Sequence, residues 1–230
     1  MQIAQTHLQL LRQARDAGYG KSEIYDLRRD YETACRLHGH QARHSGRPFV
    51  CHLVGTASLV MAEGKTFTAI RAALNHAAYD VGRFPSGARG IRRGHVRWFT
   101  SRVGEEVADL VMAIEKYPLV PGALAAKATI NFDELGELER TILEQEVCNE
   151  VDDGMDSGAA LESGQKWNQS YVDGVKGVAR GLGLENCEKV LEQIDIELAD
   201  SDWLTPQTHF TFTANQPLPP RYIKGRVVAV

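Results

Sequence analysis

Apolar residues recur at helical spacing through most of the first two hundred positions, and sustained period-two alternation rich in Val, Ile and Tyr is hard to find. The pattern predicts an all-α fold. Ser22 suits the N-cap of a helix running through Ile24, Leu27, Tyr31, Cys35 and His38, with Gly39 at its end. Pro48 suits the first turn of a second helix, on which Phe49, Leu53, Thr56 and Val60 share a face and which Gly64 closes. Thr66 or Thr68 opens a third, with Ile70, Ala73, Leu74 and Ala77 inward and an end near Gly82. Val103 to Ile114 and Leu135 to Val151 read as two more helices, and Gly154 to Gly164 as a loop. A final pair is expected around Tyr171 to Ala179 and Cys187 to Leu198.

The pattern changes beyond Trp203. Pro206, Pro217, Pro219 and Pro220 interrupt helix formation, and His209-Phe-Thr-Phe-Thr213 alternates like a short strand. With no internal repeat, the economical division is one helical domain over residues 1–200 and a C-terminal extension over 201–230 that wraps the surface or meets a partner.

Composition sharpens this picture. With 230 residues, 43% of them hydrophobic and 24% charged, the chain can bury one sizeable core. A net charge of -4 calls for neither a nucleic-acid nor an anionic-membrane partner, so any basic site is local. Polar residues interrupt Met1 to Gly18, so no apolar stretch of signal-peptide type is present, and no run approaches a membrane span. Cys35, Cys51, Cys148 and Cys187 lack CxxC spacing, which fits a reducing cytoplasm. A small-molecule ligand is the expected partner, and the sequence leaves homo-oligomerisation open.

Several groups bear chemistry. His76 and Asp80 are four apart on the third helix and share a face there. A carboxylate beside an imidazole fixes its tautomer and raises its basicity, the usual basis of a metal-free general base; the pair equally suits a satisfied buried histidine. Arg83, Arg89, Arg92, Arg93, Arg97 and Arg102 follow, with no acidic residue between Val81 and Gly104. Guanidinium groups hold phosphate or carboxylate through paired hydrogen bonds, and the alternative for this run is a solvated face. Cys35 and His38, three apart near a helix C-terminus, read as a buried cysteine rather than a thiolate pair. Glu144, Glu146, Glu150, Asp152, Asp153 and Asp156 read as a solvated helix end that binds a cation only if several carboxylates converge.

Residues 38 to 52 read His38-Gly-His-Gln41-Ala-Arg43-His-Ser45-Gly46-Arg-Pro48-Phe-Val-Cys-His52. This resembles the HxxQxRxSGxPxxxH entry segment of the RelA/SpoT-type alarmone hydrolases of the HD superfamily. Ala72-Ala-Leu-Asn-His76 is similar to that family's ALLHD segment, and Gly104-Glu-Glu-Val-Ala-Asp-Leu-Val111 to its GEEVAxLV segment. The three occur in the family's order over roughly the first 150 positions. The resemblance implies a compact HD-type helical bundle without the synthetase half. It also implies one divalent cation, manganese or iron, activating water against a pyrophosphate bond.

Carried over by position, His52 and His76 are the two imidazole ligands, the Asp of the HD pair is Ala77, and the distant Asp falls at Asn149. The acidic pair after HD becomes Tyr79-Asp80-Val81, which leaves Asp80, and Arg43 resembles the residue that packs on the guanine base. Two neutral imidazoles and a neutral amide bring no charge to offset dehydration of a hard cation, so affinity should fall severely unless Asp80, Asp152 or Asp153 replaces a ligand. The expected function is an HD-hydrolase-like enzyme acting on a small anionic metabolite, phosphorylated or nucleotide-like. His76 and Asp80 would be catalytic, and Arg43, Arg83, Arg89, Arg92 and Arg93 would hold the ligand. The alternatives are a non-catalytic binding or interaction module on the same scaffold and a biosynthetic tailoring enzyme.

Overall fold

The computed structural model describes residues 2–43, 46–117, 123–155 and 167–199, with a short strand at 216–217. Helices carry the architecture. In chain order they are α1 (His7–Asp16), α2 (Lys21–His38), α3 (Phe49–Ala62), α4 (Phe67–Ala73), α5 (Arg93–Val103), α6 (Glu105–Lys116), α7 (Glu137–Gly154), α8 (Gln169–Leu182) and α9 (Glu185–Ala199). The strand pairing that is present joins β1 (Gln41–Ala42) to β2 (Gln216–Pro217), antiparallel. This pairing brings two residues of the C-terminal stretch against the segment that follows α2. The strand expected at His209 to Thr213 lies outside the described residues.

Each helix start has a local cause. Thr6 caps α1 in a reciprocal box with Gln9, a Thr-x-x-Gln signature that predicts this helix and that the periodicity reading passed over. For α2 the cap is Gly20 rather than Ser22, because the Glu23 carboxylate accepts the Gly20 N–H at 2.7 Å. The helix expected over Val103 to Ile114 is α6; α5 precedes it without having been expected, and the two meet at Gly104, whose φ of 87° lies in the region that glycine alone enters freely.

The third expected helix stops early. It ends at Ala73, and residues 74–81 continue as turns. Two acceptors are diverted there: the Asn75 side-chain amide donates to the Arg71 carbonyl at 3.1 Å, and His76 Nδ1 to the Ala73 carbonyl at 2.8 Å. Side chains taking backbone acceptors in this way compete with helix propagation.

α3 is the axis of the core. Every residue from His52 to Met61 is buried, and the helix packs against α7, α4, α2 and α1. α7 is nearly as enclosed, and this overturns the solvated reading of its acidic run: Glu144, Glu150 and Asp152 are buried. Each has found a donor. Lys65 Nζ lies 2.8 Å from Glu144, the Tyr171 hydroxyl donates to Glu150 at 2.9 Å, and Arg47 pairs with Asp152. A separate buried ion pair ties α2 to α4, where Arg71 grips both oxygens of Asp30 at 2.5 and 3.1 Å and also reaches the Val103 carbonyl. No described helix is long and apolar enough to cross a membrane.

Candidate functional site

The site grows from the seam between α3 and α7. His52 occupies the first turn of α3 and is 1% exposed. Its Nδ1 lies 2.8 Å from Asp152 Oδ2 and 3.3 Å from Asp153 Oδ1, both at the end of α7. A carboxylate only accepts, so Nδ1 carries the hydrogen and Nε2 keeps its lone pair. One turn along α3, Gly55 makes the approach feasible: a Cβ there would stand 1.8 Å from Asp152 Oδ1.

His76 meets His52 edge-on, with ring centroids 5.3 Å apart. Its Nδ1 donates to the Ala73 carbonyl, so Nε2 again is the lone-pair nitrogen. Burial first, and then the charges of His52 and His38, push its pKa down to about 3. On the other side of His52, Phe49 lies edge-on at 5.4 Å and His38 stacks on Phe49 at 5.0 Å. Gln41 donates its amide to the Val81 carbonyl at 2.7 Å and turns its oxygen to His38 Nδ1 at 2.9 Å. His38 Nε2 is therefore a buried acceptor without a partner, and burial pushes the pKa of this ring down to about 4. All three imidazoles thus donate through Nδ1, and each turns the same nitrogen away from its support.

Two arginines complete the cluster. Arg47 pairs with the Asp152 carboxylate, approaches the Asp152 carbonyl at 3.4 Å and donates to Gln5 Oε1 at 2.9 Å. The Gln5 amide in turn reaches Asp152 Oδ1 at 3.5 Å. Arg43 pairs with Asp153 and lies over the Phe49 ring, 5.3 Å from its centroid. Arg43, expected to hold the ligand, here has its guanidinium paired with a carboxylate of the protein.

The other expected residues fall into two groups. Asp80 is exposed and makes no hydrogen bond with His76, because the chain between them is turns rather than the helix that would have stacked them. Its charge is felt at Glu115, whose pKa is raised by burial and then by Asp80. Asn149 is partly buried on α7, one turn before the two aspartates, and makes no hydrogen bond with His52 or His76. Arg83, Arg89, Arg92, Arg93 and Arg97 are exposed. The Arg83 backbone is held to Leu37, next to His38, by an N–H to carbonyl bond of 3.0 Å, and Arg83 and Arg89 both depress the His40 pKa after burial. Those two arginines therefore flank the histidine row, while Arg92 and Arg93 open α5.

His52, Asp152 and Asp153 each offer one ligand atom, all within 4.8 Å of one another, an arrangement capable in shape of holding a metal ion. The charge does not follow the shape. Among the described residues, two carboxylates are matched by the two guanidinium groups of Arg43 and Arg47, so these charges cancel before any cation arrives. A dication draws its affinity from uncompensated anionic oxygen, and the residues as arranged do not fit one. Asp152 and Asp153 are two of the three acids that the sequence offered as replacement ligands, but spacing alone did not pair them with His52, about 100 positions away. The available signal was Asp152-Asp153 one helical turn beyond Asn149.

A solved structure shares this arrangement of helices. It is described as a metazoan ortholog of SpoT that hydrolyses ppGpp and plays a role in starvation responses; the match has a TM-score of 0.50 at 17% identity and covers 78% of this chain and 97% of that one. The fold is that of an HD domain. No protein-family profile matches the chain, and no curated protein matches it. The HD-type helical bundle expected from the three motifs is present, with the His52 and His76 rings facing each other in it.

Proposed function

We propose that this protein is an HD-fold, hydrolase-like enzyme acting on a small anionic metabolite, phosphorylated or nucleotide-like, through acid–base chemistry at His52. The observation that carries the reading is the buried 2.8 Å contact between His52 Nδ1 and Asp152, which leaves Nε2 as the basic nitrogen. A carboxylate at Nδ1 holds the ring in one tautomer and stabilises the imidazolium formed when Nε2 takes a proton. Water would give that proton to Nε2 while its oxygen attacks the electrophilic centre. As the bond to the leaving group breaks, the imidazolium returns the proton to it. His76, neutral and in edge-on contact with His52, serves as a hydrogen-bond acceptor beside it. Arg83 and Arg89 beside the histidine row supply charge for the anionic end of the substrate, with Arg92 and Arg93 farther out. The likeness to a ppGpp hydrolase supports the class of chemistry, and ppGpp is the first substrate to try.

The test is release of phosphate or pyrophosphate from ppGpp and a panel of nucleotide and sugar phosphates, with chelator present. Wild type should turn over at least one, and His52→Gln should abolish that turnover in a folded protein. Ligand binding without turnover, persisting in His52→Gln, would instead support a non-catalytic binding module on the HD scaffold. One observation favours that second reading: both aspartates near His52 are already held by arginines.

A further inference from the structure

We propose that Arg43 and Arg47 are the resident cation of the His52–Asp152–Asp153 cluster, occupying in charge the place a divalent metal would take, and that while they are in position the cluster excludes such a metal. The inference concerns the site itself and holds whether or not the proposed hydrolysis is correct.

The two guanidinium groups are delivered together. Arg43 and Arg47 are joined through the backbone by the Arg43 N–H to the Arg47 carbonyl at 2.8 Å, and the Gly46 N–H bonds the Arg43 carbonyl at 2.9 Å. Arg47 reaches Asp152 and Arg43 reaches Asp153, so each carboxylate of the cluster has its own cation. Both are well enclosed, with side-chain exposures of 19% for Arg43 and 17% for Arg47. Neither is a loose surface group that would yield easily to a competing ion.

Asp152 cannot turn away to meet a metal. One oxygen takes Arg47 and His52, and the other faces the Gln5 amide. The same oxygen presses into the space left by the missing side chain of Gly55. On His52, the nitrogen nearest the carboxylates is the one bearing the hydrogen, which removes a lone pair from the set of three ligand atoms. A dication among those atoms would face two guanidinium charges at a few ångströms in a region with little water to screen them. It would also find both anionic ligands already neutralised. Arginine suits this role better than lysine, because it stays charged when enclosed and its planar fork matches a carboxylate.

The probe is manganese(II) alone, added to the full chain after chelator treatment and dialysis, with free ion followed by its electron paramagnetic resonance signal. Wild type should show no stoichiometric site into the millimolar range. Arg43→Met/Arg47→Met should take up one ion per chain, at least about 100-fold more tightly than wild type, and adding Asp152→Asn should abolish that uptake. If circular dichroism shows the double variant unfolded, Arg43→Met decides, with an expected gain of about 10-fold. Stoichiometric manganese in wild type that His52→Gln removes would overturn the proposal. So would a folded arginine variant that binds no better than wild type. Neither reading depends on turnover, so failure here is distinct from failure of the hydrolase assay.

Discussion

Among the described residues, two Asp–Arg pairs have a fully hidden carboxylate, Asp30 with Arg71 and Asp152 with Arg47: both aspartate side chains are 0% exposed. In the first, the arginine fork closes on both carboxylate oxygens and spends its remaining reach on the Val103 carbonyl. Both carboxylate oxygens are engaged, and the pair pins α2 to α4 and to the end of α5. In the second, one carboxylate oxygen is shared between a guanidinium and an imidazole whose other nitrogen stays uncommitted. A fully closed pair is a fastener. A pair that lends its carboxylate to a histidine fixes the tautomer of that ring.

Substitution separates the two roles most sharply. Arg71→Met should strip the partner from a buried carboxylate and lower unfolding free energy by about 3–5 kcal/mol, measured by urea denaturation, with turnover per folded molecule unchanged. Asp152→Asn should lower turnover by about 10²–10⁴-fold in the molecules that fold. Equal loss of both properties in both variants would erase the distinction.

Acid should act on the two regions in opposite directions. His38 and His76 have pKa values pushed down to about 4 and about 3, so the unfolded chain binds more protons there than the native one. The stability they contribute is complete above their ordinary value of 6.5 and drains away as pH falls toward 4 and below. Asp30 has the reverse sign. Burial raises its pKa to about 6 against the pull of Arg71, so its contribution is complete below the usual carboxyl range and is lost as pH rises through about 6. Denaturation midpoints between pH 7 and 4 should therefore fall by the equivalent of a few kcal/mol, at about 1.4 kcal/mol per pKa unit for each histidine. His38→Gln should flatten that slope, and Asp30→Asn should steepen it. An unaltered slope in His38→Gln would show that this ring does not titrate as its surroundings require.

The smallest expected effect comes from one methyl group. Gly55→Ala places a carbon against Asp152 Oδ1, and the overpacking should cost about 1–3 kcal/mol in stability while moving the carboxylate off His52. The measurement is the His52 Nδ1–H proton resonance, expected in wild type at the low field of a carboxylate-bound imidazole and lost in the variant. Asp30 and Arg71 are remote from this change, so their pair should be untouched.

Much of the scaffold could be read from the residues. The apolar spacing in α2, α3 and α7 to α9 reflects faces that are buried, and its period survives in sequence whatever the packing partner. The motif order also pointed to the HD-type bundle. The reading failed where a side chain competed with the backbone: Asn75 and His76 each take a carbonyl, so the helix that would have stacked Asp80 on His76 never reaches them. It failed again at α7, because a run of acids looks solvated until Lys65, Tyr171 and Arg47 arrive from elsewhere in the chain. His52 was identified by its motif. Its carboxylate partner was narrowed only to Asp80, Asp152 or Asp153, since Asp152 stands 100 positions away and nothing local marks which of several neighbouring acids turns inward.

Gln5 bonds to both Arg47 and Asp152, so residues from positions 5, 47, 52 and 152 must meet before the cluster exists. During synthesis the first three are made long before the fourth, and closing a loop of that length is among the slower steps of folding. The nascent chain therefore carries its histidine for some time without the aspartate that tunes it. Under the proposed chemistry, a ribosome-bound fragment ending before α7 would lack that carboxylate and should show no turnover.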